Sequence, residues 1–276
     1  MTAEKGPVLV IGGTGKTGRR VAGRLAERGV PVRAAARSSQ PSFDWEKPDT
    51  WASALAGVRS AYVTYYPDLA LRGASTAVGE LAELAVEHGV CKLVLLSGRG
   101  EEGAQVGERA VQDSGADWTV VRCSWFSQNF SEGAFVDAVR SGVVALPAGD
   151  TREPFVDADD IADVAVAALT EPGHVGRVHE LTGPRLLTFE EAVGEIARAT
   201  GRELRYRQVS VEEYAAALLG FGVPSAVVSL TRYLFTEVLD GWNAHSTNGI
   251  ELALGWLPRD VRDYARQTAK TGIWTP

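Results

Sequence analysis

Four consecutive apolar residues, Val8-Leu9-Val10-Ile11, begin the first patterned stretch of the chain, and an unbroken apolar run of this length reads as a fully buried strand. Gly12-Gly13-Thr14-Gly15-Lys16-Thr17-Gly18 follows directly, after which Val21, Ala22, Leu25 and Ala26 recur at helical spacing before Gly29. The alternation continues. Apolar runs predict strands over 31–36, 60–65, 92–96 and 118–121, with a very short strand at 43–45. Helical stripes fall between them at 50–56, 74–88 and 104–113. Strands alternating with helices predict a parallel sheet covered on both faces, an α/β Rossmann-type doubly wound architecture. Beyond Cys123 the pattern loosens: Ser124 to Phe130 mixes aromatics with amides, a strong helix spans 158–169, and 179–181 returns to the sheet. Helical stretches at 189–200, 211–219, 225–239 and 260–270 predict a smaller, mostly helical C-terminal lobe. The expected division is 1–150 for the Rossmann domain and 151–276 for the remainder, within one continuous globular unit.

Composition narrows the class. The 276 residues are 45% hydrophobic and 23% charged, ordinary for a globular protein with a sizeable core. A net charge of −7 and a pI near 5.3 argue against a nucleic-acid groove or an anionic membrane surface. His88, His174, His179 and His245 are scattered without metal-ligand spacing, so no metal is expected. Cys91 and Cys123 sit in apolar strand-like runs and are expected to face a core. Met1–Lys5 lacks an apolar signal region and no run reaches membrane-span length, so a cytoplasmic location is expected.

The candidate chemistry begins at the glycine loop. Strand, glycine turn and helix, with glycines at 12, 15 and 18, form the dinucleotide-binding pattern in its required context. Gly12 would allow the tight turn, Gly15 the approach of backbone to a pyrophosphate, and Gly18 close packing of helix on sheet. The free backbone N–H groups at the helix start then face the two phosphates, helped by the helix dipole. A mononucleotide P-loop, suggested by Gly15-Lys16-Thr17, fails because the position needing glycine is Val10, inside the strand. At the end of the second strand stand Arg37 and Ser38, with no acid until Asp44. An acid there would bind the ribose hydroxyls of NAD, whereas a guanidinium fork suits the extra phosphate of NADP, so NADP(H) is the expected cofactor.

The glycine stretch 10–20, the Arg37 strand end, Phe-Asp-Trp at 43–45, Leu-Leu-Ser at 95–97, 114–122, Trp-Phe-Ser-Gln-Asn-Phe-Ser-Glu-Gly at 125–133, 154–162 and 180–184 together resemble the NmrA-like family. These are atypical short-chain dehydrogenase relatives, and the resemblance covers nearly the whole chain. Within that family it lies nearest the ergot-alkaloid festuclavine and agroclavine dehydrogenases and the NADPH–quinone reductases. The resemblance implies NADP contacts at Gly12 through Gly18, Arg37, Ser38, Asp44, Trp45, Tyr65, Pro67 and Ser97. It implies a substrate pocket lined by Tyr66, Trp125, Phe126, Asn129, Phe130 and Phe155, and a place in secondary metabolism. Ordinary short-chain dehydrogenases follow this serine with a tyrosine and, four residues on, a lysine; the stretch after Ser97 contains neither.

That departure directs the expected chemistry. Reduction of a ketone needs an acid for the growing alkoxide, and none is evident. An iminium ion accepts hydride to give a neutral amine without a proton, and a quinone can draw its proton from water. The expected activity is therefore an NADPH-dependent reductase acting on an iminium or quinone-type small molecule, flat and aromatic or cationic, since ring faces attract positive charge. Glu101, Glu102 and Glu108 could add a negative field for a cationic substrate, but charged residues in such a segment read more readily as a solvated helix face. The alternative is a non-catalytic NADP(H)-binding redox sensor with a regulatory partner. A monomer or homodimer fits either reading.

Overall fold

The computed structural model describes residues 6–276; the leader-free reading of Met1–Lys5 falls outside the described residues. In chain order the elements are β1 (Val8–Ile11), α1 (Lys16–Glu27), β2 (Val32–Ala35), a 3-10 turn (Pro48–Thr50), α2 (Trp51–Leu55), β3 (Ser60–Val63), α3 (Ala74–Glu87), β4 (Lys92–Gly98), α4 (Glu102–Gln112) and β5 (Asp117–Cys123). They continue with α5 (Asn129–Glu132), α6 (Val136–Ser141), β6 (Val143–Leu146), α7 (Ala158–Thr170), β7 (Arg177–Leu181), α8 (Phe189–Thr200) and β8 (Arg205–Gln208). The chain closes with α9 (Val211–Gly220), α10 (Ser225–Tyr233), a π-helical turn (Leu234–Val238), α11 (Gly249–Leu254) and α12 (Val261–Ala269).

Two compact units interleave along the chain. Among the described residues, the first comprises those up to 123, 158–180 and 249–256; the second comprises 124–157, 181–248 and 257–276. A single cut at residue 150 therefore does not separate them. The reason is α7: from Val164 to Leu169 every residue is apolar and buried, so this helix must be covered by its neighbours. It is drawn back into the first unit, where Asp159 and Asp163 meet α1 through Arg20 and Arg24 at 3.2, 2.7 and 2.5 Å.

The first unit contains the six-stranded sheet, in the order β2-β1-β3-β4-β5-β7, parallel from β2 through β5. The order reverses at β1, with β2 on one side and β3 on the other, which makes the carboxyl ends of β1 and β3 a topological switch point. The buried faces of Leu9, Ile11, Val63, Leu93 and Leu95 pack on Leu55, Val78, Leu81 and Val111. The expected short strand at 43–45 is absent. Its backbone is engaged by side chains instead: Trp51 Nε1 donates to Asp44 O at 2.9 Å, and Asp44 N donates to Thr50 Oγ1 at 3.1 Å. Phe43, Trp45 and Trp51 pack on one another there. Cys123 is buried as expected, whereas Cys91 lies directly before β4 and is exposed.

The second unit has its own core, in which Phe130, Phe135, Phe155, Phe189, Phe235, Tyr264 and Trp274 pack with Leu146, Val193 and Ile196. A two-stranded parallel sheet, β6 with β8, lies in this unit. Helix α8 starts from a capping box in which Thr188 Oγ1 accepts from Glu191 N and the Glu191 carboxylate accepts from Thr188 N, at 3.1 and 2.9 Å. Among the described residues no helix is long and apolar enough to cross a membrane.

Candidate functional site

The loop after β1 is built by glycine. Gly12 has φ +71°, and a Cβ there would lie 2.4 Å from Thr64 Oγ1. The Thr64 hydroxyl donates to Ile11 O at 3.1 Å, tying the end of β3 to the end of β1. Gly13 N donates to Ala35 O at 3.2 Å, which fixes the loop against the end of β2, two residues before Arg37. At Gly18 a Cβ would lie 2.1 Å from Gly12 O, so only glycine lets α1 begin this close to the strand. Gly15 differs: it is exposed, and the nearest atom to an added Cβ, Gly12 O, is 3.2 Å away. It is the N-cap of α1, provides no side-chain cap, and the first turn carries no acid. A bare, uncapped and solvent-exposed helix start fits an anionic pyrophosphate.

Around this loop the structure gathers several of the expected contacts. Trp45 Nε1 donates to Thr64 O at 3.0 Å, and the Trp45 and Tyr65 rings stand 4.8 Å apart. Asp44 uses a carboxylate oxygen to accept from Glu46 N at 3.2 Å, shaping the turn that carries Trp45. Arg37 and Ser38 are exposed in a turn that Ser39 closes by bonding to Ala36. Tyr66 is 74% exposed, and Pro67 beside it is also at the surface.

Ser97 sits apart, on β4. Its hydroxyl donates to Glu108 Oε1 at 2.6 Å. Glu108, 2% exposed on α4, also accepts two hydrogen bonds from Arg122, and Arg122 reaches Glu180 at 2.8 Å. Glu108 is thus a buried, paired carboxylate rather than part of a solvated face. Glu101 departs from that expectation too: it is 9% exposed, and burial together with the neighbouring Asp68 carboxylate pushes its carboxyl well above the usual range. Glu102 alone is solvent-exposed. The sequence signal for this arrangement is Gly103 and Gly107, one helical turn apart on α4, which open the helix face to a neighbouring loop.

Of the aromatic residues expected to line a pocket, Phe130 and Phe155 are each 1% exposed and form core of the second unit, so they present no surface to a ligand. Trp125 packs on Phe189 and Phe235, both at 5.2 Å, and remains half-buried, as do Phe126 and Asn129.

Residues 12–172 match the family described as NAD(P)H-binding. The (4-alkanoyl-5-oxo-2,5-dihydrofuran-3-yl)methyl phosphate reductase of Streptomyces griseus is 36% identical, with 95% of this chain and 98% of that protein covered. Agroclavine dehydrogenase of Claviceps fusiformis is 30% identical, covering 93% and 95%. Among solved structures, the Escherichia coli NADPH-dependent quinone oxidoreductase QOR2 in complex with NADPH shares the fold, with a TM-score of 0.79, 20% identity and coverage of 94% and 99%.

Proposed function

Because the chain belongs to the NAD(P)H-binding family and is an NAD(P)H-dependent oxidoreductase, we propose that it reduces a flat, polarised small molecule, an iminium or quinone-type acceptor, with NADPH as the hydride source. The observation that carries this reading is the glycine loop: Gly15 leaves the uncapped start of α1 open, and Gly13 anchors that loop to the strand whose end bears Arg37. When bound, the nicotinamide supplies the hydride chemistry. The chain's own tasks are binding, orientation and exclusion of water. Backbone N–H groups at Thr14, Lys16, Thr17 and Gly18 hold the pyrophosphate, while those of Gly13 and Gly15 are spent inside the loop on Ala35 O and Gly12 O. Arg37 and Ser38 take the extra phosphate of NADP, and Asp44, Trp45, Tyr65 and Pro67 flank the nucleotide. Because the Ser97 hydroxyl already gives its proton to Glu108, it meets a ligand as an acceptor, which suits a carboxamide N–H. Tyr66, exposed beside Tyr65 and Pro67 in the first unit, offers ring surface to an acceptor.

The test is a fluorescence titration with NADPH and NADH, followed by turnover on cyclic iminium ions and quinones. Arg37→Ala should weaken NADPH binding by roughly 10- to 100-fold, the worth of charge-assisted hydrogen bonds, and NADH binding far less. Equal losses for both would remove the NADP assignment. Tight NADPH binding with no turnover on any acceptor would carry the redox-sensor reading instead.

A further inference from the structure

Three glycines create a seat for one carboxyl group. At Gly98, the last residue of β4, a Cβ would lie 2.2 to 2.3 Å from all three atoms of the Glu101 carboxyl, so this group rests directly on the glycine backbone. On α4, a Cβ at Gly103 would lie 2.7 Å from Ala70 O, and one at Gly107 would lie 2.8 Å from Leu69 Cδ1. The segment after β3 therefore lies flush on α4, with Leu69 buried against it. Asp68 is held at the start of that segment by accepting from Ala70 N at 2.8 Å, and its carboxylate meets the Glu101 carboxyl. Asp68 follows β3 and Gly98 ends β4, so both acids belong to the carboxyl-end rim of the sheet that also carries the Gly12 loop. Ligands of open parallel sheets bind at this rim.

From this geometry we propose that Glu101 is the proton donor of the reductase, with Asp68 as its positioning partner, and that the acceptor class extends to quinones and carbonyl-conjugated double bonds that must gain a proton with the hydride. This rests on the reductase reading above. Two carboxylates in contact cannot both ionise without mutual repulsion, so one proton is held between them. The charges acting on Glu101 come from Asp68 and Glu108, both negative, and the buried Cys123 thiol lies in the same field. Glu108 is committed to Arg122 and Ser97, and the Arg99 guanidinium is paired with Glu180 at 3.7 Å. Glu101 is the deeper acid and keeps the proton; Asp68 accepts its hydrogen bond.

The balance is simple. The acceptor gains hydride from the dihydronicotinamide, its displaced electron pair moves onto the carbonyl oxygen, and that oxygen takes the proton. The O–H bond of Glu101 breaks, an O–H bond forms on the product, and the resulting carboxylate recovers a proton from water. In this chain Glu101 thereby does the work that a tyrosine does in ordinary short-chain dehydrogenases.

The first measurement is an infrared pH titration of the cofactor-free protein, wild type against Glu101→Gln. A carboxylic-acid carbonyl band at neutral pH that vanishes in the variant is expected; its absence from the wild type overturns the proposal. The second compares turnover of a para-quinone with that of a cyclic iminium ion, alongside NADPH affinity. Glu101→Gln should lower the quinone-to-iminium ratio about 100-fold, the scale of general acid catalysis. Equal loss on both acceptors overturns the donor role. Asp68→Asn, which retains Glu101, should move the alkaline fall of the wild-type quinone rate to lower pH, because a negative neighbour is removed; an unmoved limb overturns the partnership. A wild type that reduces neither acceptor defeats the reductase reading and the donor role with it. The infrared result, taken without cofactor, then tells whether Glu101 still holds its proton.

Discussion

Gly15 and Gly18 occupy one loop and are glycine for opposite reasons. At Gly18 the protein itself forbids a Cβ, because the Gly12 carbonyl lies 2.1 Å from where it would stand. At Gly15 an added Cβ would meet just the Gly12 carbonyl, at 3.2 Å, and the residue is exposed where we propose that the nucleotide binds. Gly15→Val should therefore abolish NADPH binding in a titration while leaving the unfolding midpoint nearly unchanged. Gly18→Ala should lose roughly 1–3 kcal/mol of stability in denaturant, the cost of overpacking against backbone that cannot move aside. A Gly15 variant that titrates normally would remove the loop from the binding site. The close approach at Gly18 was legible from the spacing alone, since the motif encodes a local backbone geometry.

Helix α8 shows what an element contributes beyond its own residues. Its stripe and its Thr188–Glu191 capping box are written in adjacent sequence, so its limits of 189–200 are predicted and observed alike. Its role in the second unit is not local. Phe189 packs edge-on or tilted against Trp125, Phe130, Phe135, Phe155 and Phe235, with centroids 5.0 to 6.3 Å apart. Phe189→Ala leaves a cavity at this junction and should cost about 3–5 kcal/mol, read from the urea unfolding of the intact protein. NADPH affinity should change little, because the loop residues belong to the first unit's fold. A loss below about 1 kcal/mol would mean that the aromatic cluster closes over the gap. The same cluster explains why Phe130 and Phe155 do not line a pocket: in a sequence, an aromatic beside amides looks the same whether it faces a ligand or a neighbouring ring.

At the scale of the whole molecule, two buried sites set opposite pH dependences. His174 Nδ1 and His179 Nε2 lie 3.1 Å apart and both histidines are buried. Burial lowers both, and His179 falls from 6.5 to about 4, since its protonated form would also be repelled by a protonated His174 and by Arg177. A base lowered in the fold lends stability that is complete above 6.5 and is lost as the pH falls toward 4. A shift of this size is worth about 3 kcal/mol at most. Glu101 works the other way: its carboxyl is raised in the fold, so its contribution is present below 4.5 and fades as the pH rises through the folded value. Thermal melts from pH about 7 down to about 4 should show a steep loss in the wild type and a shallower one in His179→Asn. Parallel slopes would place the acid sensitivity elsewhere.

The sequence by itself determined the alternating strands and helices of the first unit, the glycine loop after the first strand, the exposed Arg37 just past the second and the family to which they belong. Each of these depends on neighbours in the chain: a period of two or of 3.6, a turn only glycine can make, a charge just past a strand end. Only the tertiary structure decided that α7 returns to the first sheet, that Glu108 is buried against Arg122, and that Asp68 meets Glu101 over Gly98. Those outcomes turn on residues tens of positions apart and on how closely two backbones approach. A carboxylate on a helix face carries no mark in the sequence to say whether water or another acid will stand opposite it; its neighbours in space, and not in the chain, set its charge.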